Sequence, residues 1–207
     1  MNAAQIIQRT RTLLGDASGI KFSDIQLEAA LSSVLAMVNA KVPRVVSLEI
    51  VQAVEDHRLT LTYTSPIRDV LRVETILSES ARNMPFSYDA SQPGIIHLLD
   101  DIAESEAFTW HIKLVSDHQL EGLDGAETST IPTSCEMLLA SGTAGQALQM
   151  RNTQLAESAN QENAHSQILQ QLSRGFDCQF RDMLQAWQSA QPTIMPVLSD
   201  EQGWQLD

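Results

Sequence analysis

The sequence predicts an α+β protein: a helical bundle built from an N-terminal hairpin and two C-terminal helices, a central antiparallel β insertion, and an extended C-terminal arm. Three observations carry this expectation. Apolar residues recur at helical spacing behind capping signals over about 2–41 and 133–187. Between about 45 and 116 the period drops to two and β-branched residues accumulate. Beyond Trp187 neither period survives, and Pro192 and Pro196 bar a helix. Residues 1–187 are thus expected to form one domain and 188–207 an arm.

Asn2 followed by Gln5 is a capping box, and Ile6, Ile7, Thr10, Leu13 and Leu14 then share one helical face. Gly15 ends this first helix, and Gly15 to Gly19 reads as a loop. Ser23 with Gln26 is a second box, with Phe22 placed as a hydrophobic staple. Leu27, Ala30, Leu31, Val34, Leu35 and Val38 form the stripe of a helix that stops before Pro43. The short connection makes the pair a helical hairpin. In the β region, Val45–Val54 and Leu59–Tyr63 flank a turn at Glu55-Asp56-His57 and are expected to pair as a β-hairpin. Val70–Leu77 reads as a third strand, Ser78–Gly94 as irregular, and Ile95–Leu99 as a short apolar segment. Phe108, Trp110, Ile112 and Leu114 alternate with polar residues, the clearest strand pattern in the chain.

Thr133 with Glu136, after Pro132, has the spacing of a third capping box. The helix it opens contains Ala140, Ser141, Gly142, Thr143, Ala144 and Gly145, small residues that invite close approach by another backbone. Two glycines there cost about 1 kcal/mol each unless packing compensates. Asn152–Asn163 is polar and fits either a solvated continuation or a break. Ile168, Leu169, Leu172, Phe176, Phe180, Met183, Leu184 and Trp187 then return to helical spacing, with Gly175 a weak point, and the stripe Phe176, Phe180, Met183, Leu184 and Trp187 reads as core rather than as a partner-binding face.

Composition narrows the function. The chain has 207 residues, 26 acids against 13 Lys plus Arg, and a formal charge of −13. A chain of this length buries roughly 70% of its unfolded surface and needs no disulfide staples. Two cysteines are not a secreted disulfide framework. The opening residues lack the blocks of a signal peptide, and no apolar run reaches the roughly 18 to 20 residues of a membrane span, so synthesis in the cytoplasm is expected. Phosphate affinity rests on clustered Lys and Arg, but only three lysines are present and the arginines are scattered, which argues against nucleic-acid binding. Between Asp100 and Glu127 eight acids meet one base, Lys113. Asp100, Asp101, Glu104, Glu106, Asp117, Glu121, Asp124 and Glu127 are either solvated loop residues or an acidic rim facing a channel or a basic partner.

No catalytic constellation is legible. His57, His97, His111, His118 and His165 fall in no HxH, HxxxH or CxxC spacing, so no metal site is expected. Cys135 lies at a helix N-terminus, where a thiol can be activated, yet no histidine is near in sequence and packing is the better expectation. GxSxG, GxGxxG and GxxxxGK[ST] are absent, leaving no cofactor or phosphate loop. His111 falls on the polar side of its strand and is expected at the surface. In the terminal segment, Pro192, Ile194, Met195, Pro196, Val197, Leu198 and Trp204 read as a docking arm, because an isolated tryptophan among prolines and acids has little local core to enter.

The segment Ala4-Gln5-Ile6-Ile7-Gln8-Arg9-Thr10-Arg11-Thr12-Leu13-Leu14-Gly15-Asp16, then Phe22-Ser23-Asp24-Ile25-Gln26-Leu27, resembles the start of the head-to-tail adaptor (connector) proteins of tailed bacteriophages. There a first helix ends in an acidic turn, and an aromatic plus Ser/Thr-Asp opens the second. Ile131-Pro132 and Leu138-Leu139-Ala140-Ser141-Gly142-Thr143-Ala144-Gly145-Gln146-Ala147-Leu148 are similar to that family's helix-opening proline and small-residue helix. Together these segments cover about a third of the chain, and the β region agrees in arrangement only. The resemblance implies a structural virion protein at the head–tail junction, without catalytic residues, cofactor or membrane contact. It implies a ring, commonly a dodecamer, that joins the portal to a tail or nozzle protein while DNA passes through unbound. Two other classes stay open: a small acidic enzyme with a dispersed site around His97, His111 or His118, and a non-viral helical scaffold or another neck protein.

Overall fold

The computed structural model describes residues 1–54, 57–63, 66–77, 80–92, 94–100, 107–157 and 163–191. The protein is mixed α+β, and it divides into two compact units. Met1–Pro43 and His118–Gln191 form a helical unit, while Arg44–Asp117 supplies the β unit. Of the expected C-terminal arm, residues 188–190 instead continue the last helix, whose pattern was expected to stop at Trp187, and residues 192–207 lie outside the described residues.

In the helical unit, α1 (Ala3–Leu13) and α2 (Asp24–Lys41) both open with the reciprocal caps their sequences predict. Asn2 Oδ1 accepts from Gln5 N at 3.0 Å, and Ser23 Oγ accepts from Gln26 N at 3.2 Å. Each satisfies a backbone donor that the first helical turn cannot. Phe22 and Leu27 are buried in one core, as a staple requires. Leu14 N closes on Thr10 O, and Gly15 takes φ +61, ending α1 where glycine alone is unstrained.

The third capping box does not form. Thr133–Cys135 is a 3-10 turn preceded by Pro132, without a side-chain cap bond, and α3 (Glu136–Glu157) follows it. Pro132 (φ −59, ψ 144) takes the cap position itself, which places Thr133 inside the turn. Helix α3 packs against α1 and α2, and α4 (Asn163–Ala190) runs along α3. The small-residue stretch is where they meet: a Cβ on Gly142 would lie 2.7 Å from Phe180 Cδ2 and 2.9 Å from Val34 Cγ1. One on Gly145 would lie 2.6 Å from Asp177 Oδ1. Ser173 Oγ donates to Gly145 O at 3.1 Å, tying the helices at that contact. Phe180 and Leu184 enter the core, with Leu169, Phe176, Met183 and Trp187 partly buried against it. Ile168 and Leu172 do not: they are 55% and 51% exposed. Gly175 does not interrupt α4.

Among the described residues, the β unit forms two antiparallel sheets. The first has order β1-β7-β3-β4, with β1 at Arg44–Ala53, β3 at Ile67–Leu77, β4 at Ser80–Asn83 and β7 at Ala107–Ser116. The second has order β2-β6-β5, with β2 at Arg58–Thr60, β5 at Phe86–Tyr88 and β6 at Ile95–Leu98. The expected hairpin between β1 and β2 is therefore incorrect: β1 pairs along its whole length with β7, and β2 pairs with β6. Ser78–Gly94 is also more regular than its composition suggests, since β4 and β5 lie within it. Central β7 does carry the predicted face, with Trp110, Ile112 and Leu114 buried and Phe108 packed against the same core. The Trp110 indole N–H donates to Gln52 O at 3.1 Å, so the buried ring keeps its polar atom paired.

Candidate functional site

Among the described residues, no group of three or more His, Cys, Asp or Glu is placed to hold a metal ion. No described helix is long and apolar enough to cross a membrane. Cys135 is buried and Cys178 exposed, both as free thiols. Burial pushes the Cys135 thiol above its ordinary range, against a smaller opposing effect of the Ser134 side chain. Its position near a helix N-terminus therefore does not produce a reactive thiolate.

The acidic stretch is divided between the two units. In the β unit, Asp100 pairs with Arg82 at 3.0 Å and Asp117 pairs with Arg68. In the helical unit, Glu121, Asp124 and Glu127 are exposed on the loop preceding α3. Asp124 has φ +52, beside Gly125 at +79, and accepts a long 3.4 Å bond from Ser32 Oγ. The backbone of Glu121 is held at both ends, its N–H by Ser129 Oγ and its carbonyl by Ala3 N, both at 2.9 Å. Asp101, Glu104 and Glu106 lie outside the described residues. So do Pro192, Ile194, Met195, Pro196, Val197, Leu198 and Trp204.

Three polar constellations appear that periodicity does not reveal. Arg11 and Asp16 form a buried ion pair at 3.1 Å, their side chains 9% and 1% exposed, and Arg11 also reaches Asp24 at 2.6 Å and Phe22 O at 2.9 Å. Burial alone raises the Asp16 carboxyl. The backbone N–H groups of Lys21, Phe22 and Ile20, with the Arg11 charge, outweigh burial and hold it below its ordinary 3.8. A trace of this knot exists in sequence, because Arg11 sits four residues after Ile7 on the core-facing side of α1. Secondly, Asn39 on α2 clamps the chain where it returns to the helical unit: its Oδ1 accepts from His118 N at 2.7 Å, and its Nδ2 donates to His118 O at 3.1 Å. The His118 ring lies 5.3 Å from that of Trp187.

The third lies on the polar face of the four-stranded sheet. Register puts His111 of β7 between Glu49 of β1 and Glu74 of β3, and puts Lys113 between Ser47 and Arg72. An acidic row thus runs beside a basic row. Arg72 pairs with Glu74 across the two, and His111 Nδ1 is 3.9 Å from Glu49 Oε2. A shallow depression of about 260 Å³ follows these rows. His111 is only half-buried, as its place in the alternation predicts. This face is equipped for charge pairing. Compared with known proteins, the chain matches no family model and no curated protein.

Proposed function

We propose that the chain is a structural virion protein: a head-to-tail connector subunit that assembles as a ring, joins the portal of a phage head to the tail, and lines the channel through which DNA passes. The observation that carries the reading is the coincidence of resemblance and architecture. The residues resembling connectors open α1 and α2 with reciprocal caps and form the stretch of α3 on which Phe180 and Val34 seat. The β unit is inserted between α2 and α3, in the expected order.

The charge supports the channel role. A surface that DNA must slide past without sticking has to be acidic, and the formal charge is −13. Glu121, Asp124 and Glu127, exposed in the helical unit, are the described candidates for the lumen. In this reading the protein contacts copies of itself, the portal and a tail protein, and catalyses nothing. The residues that follow α4, 192–207, serve as the arm that grips the portal or a neighbour.

The test is reconstitution. The purified protein is mixed with portal rings across a range of concentration and salt, then followed by sedimentation and negative-stain imaging. Ring-shaped particles capping the portal are expected. A protein that stays apart from portal under every condition overturns the reading and hands the chain to the non-viral scaffold class.

A further inference from the structure

We propose that strand β1 is an association edge for a second copy of this chain, the two β1 strands pairing antiparallel about a two-fold axis at Leu48. β1 is an outer strand of its sheet, and its pairing with β7 runs without a register break from Arg44 to Ala53. Natural edge strands are blunted by lysine, proline, bulges or shortness. Between Arg44 and Ala53 there is neither lysine nor proline, and the sheet's register shifts lie on β3. The opposite edge is built differently: β4 spans only Ser80–Asn83, whereas β1 runs over ten residues whose charges are Arg44 at its start and Glu49 on the polar face. Val46, Leu48 and Ile50 face the apolar core yet stay only partly buried, while Val51 on the other face is 69% exposed. Among the described residues, no strand pairs with β1 on the side away from β7.

The occupant follows from the pattern of β1 itself. Residues directly opposite in an antiparallel pair share a face, so a self-pairing register must match even-numbered positions with even ones. Centred on Leu48, the pairing sets Val46 opposite Ile50, Val45 opposite Val51, Arg44 opposite Gln52 and Ser47 opposite Glu49. The inner row becomes continuously apolar, and no charge faces its like.

The polar face then completes the case for a second copy. The basic row of one copy, Arg72–Lys113–Ser47, runs directly into the acidic row of the other, Glu49–His111–Glu74. Lys113 reaches Glu49 of the second copy across Ser47, a gap of about 9 to 10 Å between backbones that two long side chains span. The same contact occurs twice by symmetry. The product is one continuous sheet of order β4-β3-β7-β1-β1-β7-β3-β4. Such a contact is isologous and closes on itself, so it is independent of the ring reading and does not build a ring.

Disulfide trapping tests the register. In a Cys178→Ser background, Leu48→Cys is expected to cross-link copies under mild oxidation, because residues on the axis lie about 4.5–5.5 Å apart. Val51→Cys is expected to stay uncross-linked, since the two copies of that position sit about 20 Å apart along the strands. Glu49→Lys, an exposed change, is expected to weaken the dimer about tenfold in sedimentation equilibrium, each of two sites exchanging attraction for repulsion. Adding Lys113→Glu restores it. The proposal is overturned if Leu48→Cys fails to cross-link in a protein whose circular dichroism is unchanged. It is equally overturned if Val51→Cys cross-links as fast, or if Glu49→Lys leaves association unaltered. A cross-linked dimer that ignores portal keeps this contact and sinks the connector; portal binding without the Leu48→Cys cross-link does the reverse.

Discussion

Asp16 closes the α1–α2 turn with both carboxylate oxygens, one on Ile20 N and Lys21 N, the other on Phe22 N and Arg11, at 3.0–3.1 Å. Removing the carboxylate takes three backbone N–H groups' shared acceptor away at once and leaves the buried guanidinium only Asp24 and Phe22 O as partners. Asp16→Ala is accordingly expected to lower stability by about 3 kcal/mol, measured by urea unfolding. The pH dependence has a definite sign. A carboxyl whose folded pKa is depressed contributes fully above its unfolded value, and that contribution fades as pH falls through the lower folded value. For Asp16 the loss begins near the ordinary 3.8 and continues below it. Wild type should therefore lose stability on acidification below about pH 4 more steeply than Asp16→Ala; parallel profiles would remove Asp16 from the acid response. Capping signals made the ends of both helices readable at this scale. The partners of Asp16 are harder to read, because a short acidic turn does not disclose which donors will converge on it.

At the scale of elements, α3 and α4 show how one residue type can carry opposite values. At Gly142, an added methyl meets Phe180 and Val34 closer than 3.0 Å, and both are buried. Overpacking of that kind costs roughly 1–3 kcal/mol, more than the approximately 1 kcal/mol by which alanine favours a helix. Gly142→Ala should thus destabilise by about 1 kcal/mol net. Gly175, also helical, has nothing within 4 Å of its absent Cβ, and Gly175→Ala should stabilise by about 0.5–1 kcal/mol. Thermal melts of the pair decide it: shifts of the same sign would mean that the α3–α4 contact is looser than these distances imply. The small-residue stretch was legible as a site of close approach, while which glycine lies beneath a neighbour depends on how α4 is laid down. Strand pairing has the same character. Its β-branched residues identified β1 as a strand, but the segments of β2 and β7 both alternate and both offer a partner, and β7 brings Trp110, Ile112 and Leu114 to one buried face.

At the scale of the molecule, the helical unit is assembled from two stretches of chain separated by the whole β unit. Asn39, one turn before Pro43, bonds both backbone groups of His118, so departure and return of the chain lie side by side. Replacing Arg44–Asp117 by a short glycine–serine linker is expected to leave a helical domain that unfolds cooperatively, seen by far-ultraviolet circular dichroism. A broad, non-cooperative melt would show that the helices depend on the β unit. Deletion of residues 192–207, which spares α4, should weaken ring assembly while leaving the monomer folded, and an unchanged ring would remove the arm from the connector reading.

Local patterns of a few residues were enough for the α+β class, the helix starts at Asn2 and Ser23 and the strand face of β7, and composition was enough for the acidic balance. That β1 joins β7, that the described strands make two sheets, that Ile168 and Leu172 stay outside the core and that Arg11 finds Asp16 in a buried pair emerge from the folded chain alone. Pairing and burial are contests among distant segments with similar local patterns, and they are settled by which combination encloses the most apolar surface while leaving the fewest polar groups unpaired. The charge of −13 belongs to the first class. Its division into exposed loop acids, surface ion pairs and one carboxylate sealed in a turn belongs to the second.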